Sequence, residues 1–184
     1  MIQIRKGVFE TNSSSSHSIV ITKAQDTKVE VPEDDWRISN GEIYLWDSDL
    51  EFGRAPFNLL IDWYGRLCYA LASYGEDKIE EIEEACYRHI PNLKKIKYPT
   101  QYSYTTGEEQ VFYGYVDHQS MGLLQGFLKN HNISLEDFIF DDRYIVVIDG
   151  DEYNVFDTFM KTPLFNPDAV ENINDYKEEE EDDL

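Results

Sequence analysis

The chain has 184 residues, 41% of them apolar and 14% aromatic, so it can bury a core and lacks the composition of a disordered segment. Its 37 Asp and Glu residues outnumber 16 Lys and Arg and give a formal net charge of -21 at pH 7. That charge argues against direct nucleic-acid binding, which needs a basic face, and against docking on an anionic membrane. No apolar stretch approaches the roughly 20 residues that span a bilayer, so we expect a cytoplasmic protein.

The amino-terminal part of the sequence favours strands separated by polar turns. In chain order, the predicted segments are a strand at 2–9, a serine-rich turn at 11–16, a strand at 18–22, a polar connection at 27–40 and a strand at 42–46. The pair Asn40-Gly41 predicts the hairpin turn that precedes the last of these strands.

Two amphipathic helices are predicted in the middle of the chain. Apolar residues recur at spacings of three and four over residues 56–74, which predicts the first helix. The second predicted helix, 77–89, has a narrow apolar stripe among many glutamates. Each helix contains one cysteine, Cys68 or Cys86, and we interpret both as buried, reduced thiols.

The remaining segments alternate between strands and short helices. They are predicted as a loop or edge strand at 99–107, a strand at 111–116, a helix at 120–130, a capped turn at 134–137, a strand at 143–149, a hairpin turn at Asp149-Gly150 and a returning strand at 153–156. This pattern predicts an α+β domain over 1–167, with a mainly antiparallel sheet and two or three helices packed on one face. Residues 168–184 are mostly acidic and are predicted to form a flexible tail.

Segment 5–18, with the sequence RKGVFETNSSSSHS, concentrates polar chemistry in a short stretch. Its hydroxyls and backbone N–H groups, together with a guanidinium, could surround a phosphate. The candidate binding residues are Arg5, Glu10, Thr11, Asn12, Ser13 and Ser16. A serine-rich turn that only satisfies its own backbone would have the same composition, and this alternative stays open.

A catalytic interpretation of the same segment is also open. His17 beside a serine is the minimum for an activated nucleophile, so His17 is a candidate general base and Ser14 or Ser15 a candidate nucleophile. No G-x-S-x-G elbow and no Walker loop surrounds these serines. A catalytic activity is therefore the less favoured interpretation.

The string FETNSSSSHS at 9–18 resembles the amino terminus of small proteins encoded by phages and mobile elements of Firmicutes. The resemblance covers about the first 22 residues of the chain. It implies a genetic setting in a bacterial host more than a reaction. In that setting, an inhibitor that counters host defence is a reasonable expectation, and anti-CRISPR proteins against type II effector nucleases are the best-known example.

The acidic residues exceed what solubility requires, which is a net charge magnitude of about 2 to 8 for a small domain. One explanation is that carboxylates imitate phosphates and occupy a basic groove on a host nucleic-acid-binding protein, for example a CRISPR effector nuclease. Glu80, Glu81 and Glu84 on the second predicted helix are the candidate contact residues. The alternatives are a merely acidic protein, and a small enzyme that acts on a nucleotide or RNA phosphate through the serine-rich segment.

Metal and cofactor binding are not expected from this sequence. The four histidines form no HxxxH pair, and hairpin or helix-end positions explain the paired aspartates equally well. The aromatic residues of segment 98–115 are interpreted as sheet surface and core, because a platform that stacks bases comes with lysine and arginine. A contact surface is the alternative for these aromatic residues.

Overall fold

The computed structural model describes residues 16–21, 31–52, 58–116 and 123–150. The predicted α+β class with mainly antiparallel strands is confirmed. The strands are β1 (Ser16–Ile21), β2 (Ile38–Ser39), β3 (Glu42–Tyr44), β4 (Glu51–Phe52), β5 (Asn58–Leu60), β6 (Lys95–Lys97), β7 (Thr100–Ser103), β8 (Glu108–Val111), β9 (Tyr115–Val116) and β10 (Tyr144–Gly150). The helices are α1 (Asp47–Leu50), α2 (Trp63–Tyr74), α3 (Ile79–His89), α4 (Leu123–His131) and α5 (Leu135–Phe140), with a 3₁₀ turn at Gly75–Lys78. The predicted tail and the strand at 153–156 lie outside the described residues.

The described strands are divided among four small sheets rather than one. The central sheet has the order β1-β10-β5, and both of its pairings are antiparallel. A second sheet has the order β2-β3-β6, in which β3 and β6 run parallel. The remaining sheets are the parallel pair β4-β9 and the antiparallel hairpin β7-β8.

Helix α2 lies at the centre of the core. Its residues from Leu67 to Ala72 are all buried, because α1, α3 and α5 pack around it. The guanidinium of Arg66 is fully buried on the same helix. It donates hydrogen bonds to the carbonyl oxygens of Ile139 (2.9 Å) and Tyr144 (3.1 Å), and so ties α2 to α5 and β10.

The helix predicted over 56–74 begins later than its periodicity indicates. Asn58–Leu60 form β5 and pair with β10, and α2 starts at Trp63. Asp62 has an extended backbone and its side chain accepts a 2.8 Å hydrogen bond from the N–H of Gly65, which caps the helix at this point. The prediction was wrong over the first turns because sheet pairing outweighs helical spacing there.

The strand predicted over 111–116 is interrupted at Gly114. This residue has a φ of +96°, and a Cβ added to it would lie 2.3 Å from the carbonyl oxygen of Leu50. The backbone therefore turns tightly against α1, so β8 ends at Val111 and β9 begins at Tyr115.

The hairpin turn predicted at Asp149-Gly150 is also wrong. Both residues belong to β10, and Gly150 pairs with Ser16 across the central sheet. The partner of β10 at this position is therefore β1, from the amino-terminal part of the chain.

Three local predictions are confirmed. Asn40 and Gly41 both have positive φ, 56° and 77°, as a two-residue hairpin turn between β2 and β3 requires. Ser134 accepts a 3.0 Å hydrogen bond from the N–H of Asp137 and caps α5. Cys68 and Cys86 are free and buried.

Candidate interaction surface

Helix α3 separates an apolar side from an acidic side. Ile82, Ala85 and Cys86 are buried, while the helix exposes most of its glutamates. The predicted contact residues Glu80, Glu81 and Glu84 are all exposed. Two of them are near cations of the same segment, with Glu81 2.8 Å from Lys78 and Glu84 3.7 Å from Arg88.

Much of the basic charge in the described ranges is already neutralised by the chain's own carboxylates. The basic residues that form ion pairs with Asp or Glu are Arg37, Arg66, Lys78, Arg88, Lys97 and Arg143. Because the chain has 37 Asp and Glu against 16 Lys and Arg, its carboxylates exceed the cations that could pair with them.

The hairpin β7-β8 leaves both of its faces in solvent. Every residue from Thr100 to Val111 is exposed except Ser103, which is half-buried. Tyr104 is 93% exposed and Tyr102 57% exposed, and their rings make a T-shaped contact at 5.4 Å. An isolated two-stranded hairpin is only marginally stable in water, so the attachment of its base to the domain determines its position.

The base of the hairpin is attached to α3. The Tyr98 hydroxyl donates a 2.9 Å hydrogen bond to Glu83 Oε1, and the Tyr98 ring meets Tyr113 edge-on at 5.2 Å. A backbone hydrogen bond of 2.8 Å, donated by the N–H of Phe112 to the carbonyl oxygen of Pro99, closes the hairpin. Burial, followed by the charge of Glu83, raises the pKa of Tyr98, so its hydroxyl remains a donor at neutral pH.

These contacts join the base of the hairpin to the acidic helix α3 through Tyr98 and Glu83. We use the name acidic-tyrosine surface for the exposed acids and tyrosines of these two elements, which are Glu80, Glu81, Glu84, Tyr102, Tyr104, Glu108 and Glu109. Tyrosine is enriched in protein interfaces, and carboxylates select a basic partner. The arrangement therefore has the chemistry of a protein-binding surface.

The structure places only the end of the serine-rich segment. Ser16 and His17 begin β1, opposite Gly150 and Ile148 of β10, with a register shift between them. Positions 5–15, which include Arg5, Glu10, Asn12 and the other candidate serines, lie outside the described residues. The phosphate-binding and catalytic interpretations of the serine-rich segment stay predictions.

Sequence reasoning missed an aromatic cluster around Arg37. The guanidinium carbon lies 5.4 Å from the Trp36 ring centroid, 5.6 Å from that of Trp63 and 5.2 Å from that of Tyr64. The Arg37 guanidinium also donates a hydrogen bond to the carboxylate of Asp62, the residue that caps α2. This fixes the polar connection onto α2 and leaves the Trp36 side chain 84% exposed. In the sequence, the pair Trp36-Arg37 directly after three acids is the signal that could have indicated this cluster.

Two features are absent from the described ranges. No group of three or more His, Cys, Asp or Glu side chains there is arranged to hold a metal ion. None of the helices in those ranges combines the length and the apolar character that crossing a membrane requires.

Comparisons of the chain with protein-family models, with curated proteins and with solved structures found no match.

Proposed function

We propose that this protein is an inhibitor that binds a nucleic-acid-handling protein of a bacterial host and occupies its basic groove in place of nucleic acid. The observation that carries the proposal is the acidic-tyrosine surface, which combines the exposed glutamates of α3 with the exposed tyrosines of a hairpin whose base is joined to α3 through Tyr98 and Glu83. The net charge of -21 supports the same assignment.

The two kinds of side chain on this surface have different tasks. The glutamates of α3 present carboxylates to lysine and arginine side chains that otherwise contact phosphates. Tyr102 and Tyr104 offer aromatic faces to guanidinium groups, through cation–π contacts that strengthen when water is excluded. Charge gives the rate and selectivity of association, while the tyrosines provide contact area.

The proposed target is a type II CRISPR effector nuclease. These enzymes hold guide RNA and target DNA in a positively charged channel, which an anionic surface can enter. The amino-terminal resemblance to proteins of Firmicutes phages and mobile elements supports this choice of host process. The serine-rich segment is not needed for the proposed contact.

The proposal is tested by measuring target-DNA binding of a purified type II effector nuclease, loaded with guide RNA, at increasing concentrations of this protein. We expect competitive inhibition that weakens steeply between about 50 mM and about 200 mM salt, because the attraction is screened. Inhibition that does not depend on salt would contradict the charge mechanism. Absence of any complex contradicts the choice of target.

A pull-down from host lysate at low salt tests the wider assignment. We expect the intact protein to retain a basic nucleic-acid-binding protein that high salt releases. A pull-down that retains no such protein contradicts the inhibitor assignment as a whole.

A further inference from the structure

A second feature of the molecule, separate from the acidic-tyrosine surface, is a half-enclosed cavity of about 280 Å³. It lies between α1, β4, β5 and the first half of α2. Its buried lining is apolar and is made by Phe52, Leu60, Cys68 and Ile148. This volume is close to the lower end of the range of small-molecule sites, so the cavity fits a small ligand with an apolar part.

The described residues at the mouth of the cavity are polar and include two acids. Ser48, Glu51 and Asn58 are exposed there, and the half-buried Asp49 lies beside them. None of the described lining residues is basic. A ligand whose apolar part occupies the buried lining therefore meets carboxylates at its other end.

The carboxylate of Asp49 is held in place by two donors. The Tyr64 hydroxyl donates to Asp49 Oδ2 at 2.7 Å, and the N–H of Trp46 donates to the same oxygen at 3.2 Å. Burial raises the pKa of Tyr64, so its hydroxyl keeps its proton and continues to donate at neutral pH. A fixed carboxylate binds a cation at a lower entropic cost than a mobile one.

The central sheet connects the cavity to the strand that follows the serine-rich segment. In the central sheet, His17 lies opposite Ile148, and Ile148 lies opposite Asn58. Ile148 and Asn58 both line the cavity, whereas His17 lies on the far side of β10 from Asn58. The strand β1 is therefore the neighbour of β10, which supplies Ile148 to the cavity lining.

We propose that the cavity binds a small organic amine, with its apolar group against Leu60, Cys68 and Ile148 and its ammonium group beside Asp49 and Glu51. The apolar lining gives affinity that grows with the length of the hydrocarbon. The carboxylates select the protonated amine over a neutral molecule of the same shape. This site is independent of the proposed function, because none of its residues belongs to the acidic-tyrosine surface.

The site is tested by isothermal titration of the full chain with n-butylamine, n-hexylamine and 1-hexanol. We expect saturable binding of one n-hexylamine, an affinity that rises up to about fourfold per added methylene, and binding of 1-hexanol at least about tenfold weaker. Equal binding of the amine and the alcohol, or no saturable binding, would overturn the proposal.

Variants locate the site. Asp49→Asn keeps an oxygen that accepts from Tyr64, so the fold is retained, and we expect n-hexylamine to bind at least about tenfold more weakly. Glu51→Gln, at an exposed position, should also weaken the binding of n-hexylamine. The matched control is Asp47→Asn, an exposed acid of α1 that does not line the cavity, which should leave binding unchanged. Losses of equal size for Asp47→Asn and Asp49→Asn would indicate general charge attraction and overturn the assigned site.

Discussion

The Tyr98 hydroxyl donates a 2.9 Å hydrogen bond to Glu83 Oε1, and this contact joins the base of the β7-β8 hairpin to the acidic helix α3. Glu83 is only half-exposed, unlike its neighbours Glu80 and Glu84. It therefore holds the base of the hairpin in place, while Glu80, Glu81 and Glu84 stay exposed.

We predict that Tyr98→Phe destabilises the attachment of the hairpin and lowers the free energy of unfolding by about 1–2 kcal/mol, because a partly buried carboxylate loses its donor. Urea unfolding at pH 7 measures the change. The control is Tyr102→Phe, at an exposed position of the hairpin, which should stay within about 0.5 kcal/mol of the unmodified protein. Equal losses in the two variants would mean that the Tyr98 hydroxyl does not fix the hairpin.

A larger effect is expected at Arg66. Replacing it with Met leaves the carbonyl oxygens of Ile139 and Tyr144 buried without their donor, and should destabilise the protein by about 3–5 kcal/mol. Lys78→Met is the control, because that side chain is 47% exposed and its pairing with the equally exposed Glu81 is worth about 1 kcal/mol or less. Thermal unfolding of both variants measures the difference. A mild effect at Arg66 would show that water or rearrangement satisfies these carbonyls.

The pH dependence of stability should have a contribution from Glu136. Hydrogen bonds from His89 (2.7 Å) and Arg88 (2.5 Å) hold its pKa below the ordinary value of 4.5. The ionised carboxylate therefore stabilises the fold above that pH, and this contribution is lost as the pH falls through the lowered folded-state pKa. In Glu136→Gln, the fall in unfolding free energy between about pH 5 and about pH 3 should be shallower.

Urea unfolding across this pH range measures the slope. Glu80→Gln, at an exposed position of α3, is the matched control. A slope for Glu136→Gln that equals the slope of the unmodified protein would contradict the assignment.

Local signals in the sequence were sufficient for several elements. The Ser134 cap and the Asn40-Gly41 turn depend on residues within a few positions, and the structure has both. The exposed side of α3 followed from its apolar spacing alone. These features need no knowledge of the distant parts of the chain.

Features that depend on distant contacts could not be predicted. The pairing of Asn58–Leu60 with β10, which shortens α2, joins segments more than 80 residues apart. The close approach of Gly114 to Leu50 and the Tyr98–Glu83 bond likewise need the tertiary structure. The acidic half of the proposed surface was therefore visible in the sequence, whereas its attachment to the tyrosine hairpin was not.

The proposed function is tested most directly by reversing charge on the acidic-tyrosine surface. One variant carries Glu80→Lys, Glu81→Lys and Glu84→Lys, and its control carries Glu33→Lys, Asp34→Lys and Asp47→Lys, so that both change the net charge equally at exposed positions. The measurement is the concentration of each variant that halves target-DNA binding by the guide-loaded type II effector nuclease at low salt. We predict at least about a tenfold rise for the α3 variant and a much smaller rise for the control. Equal rises for both variants, with circular dichroism showing both folded, would contradict the proposed surface.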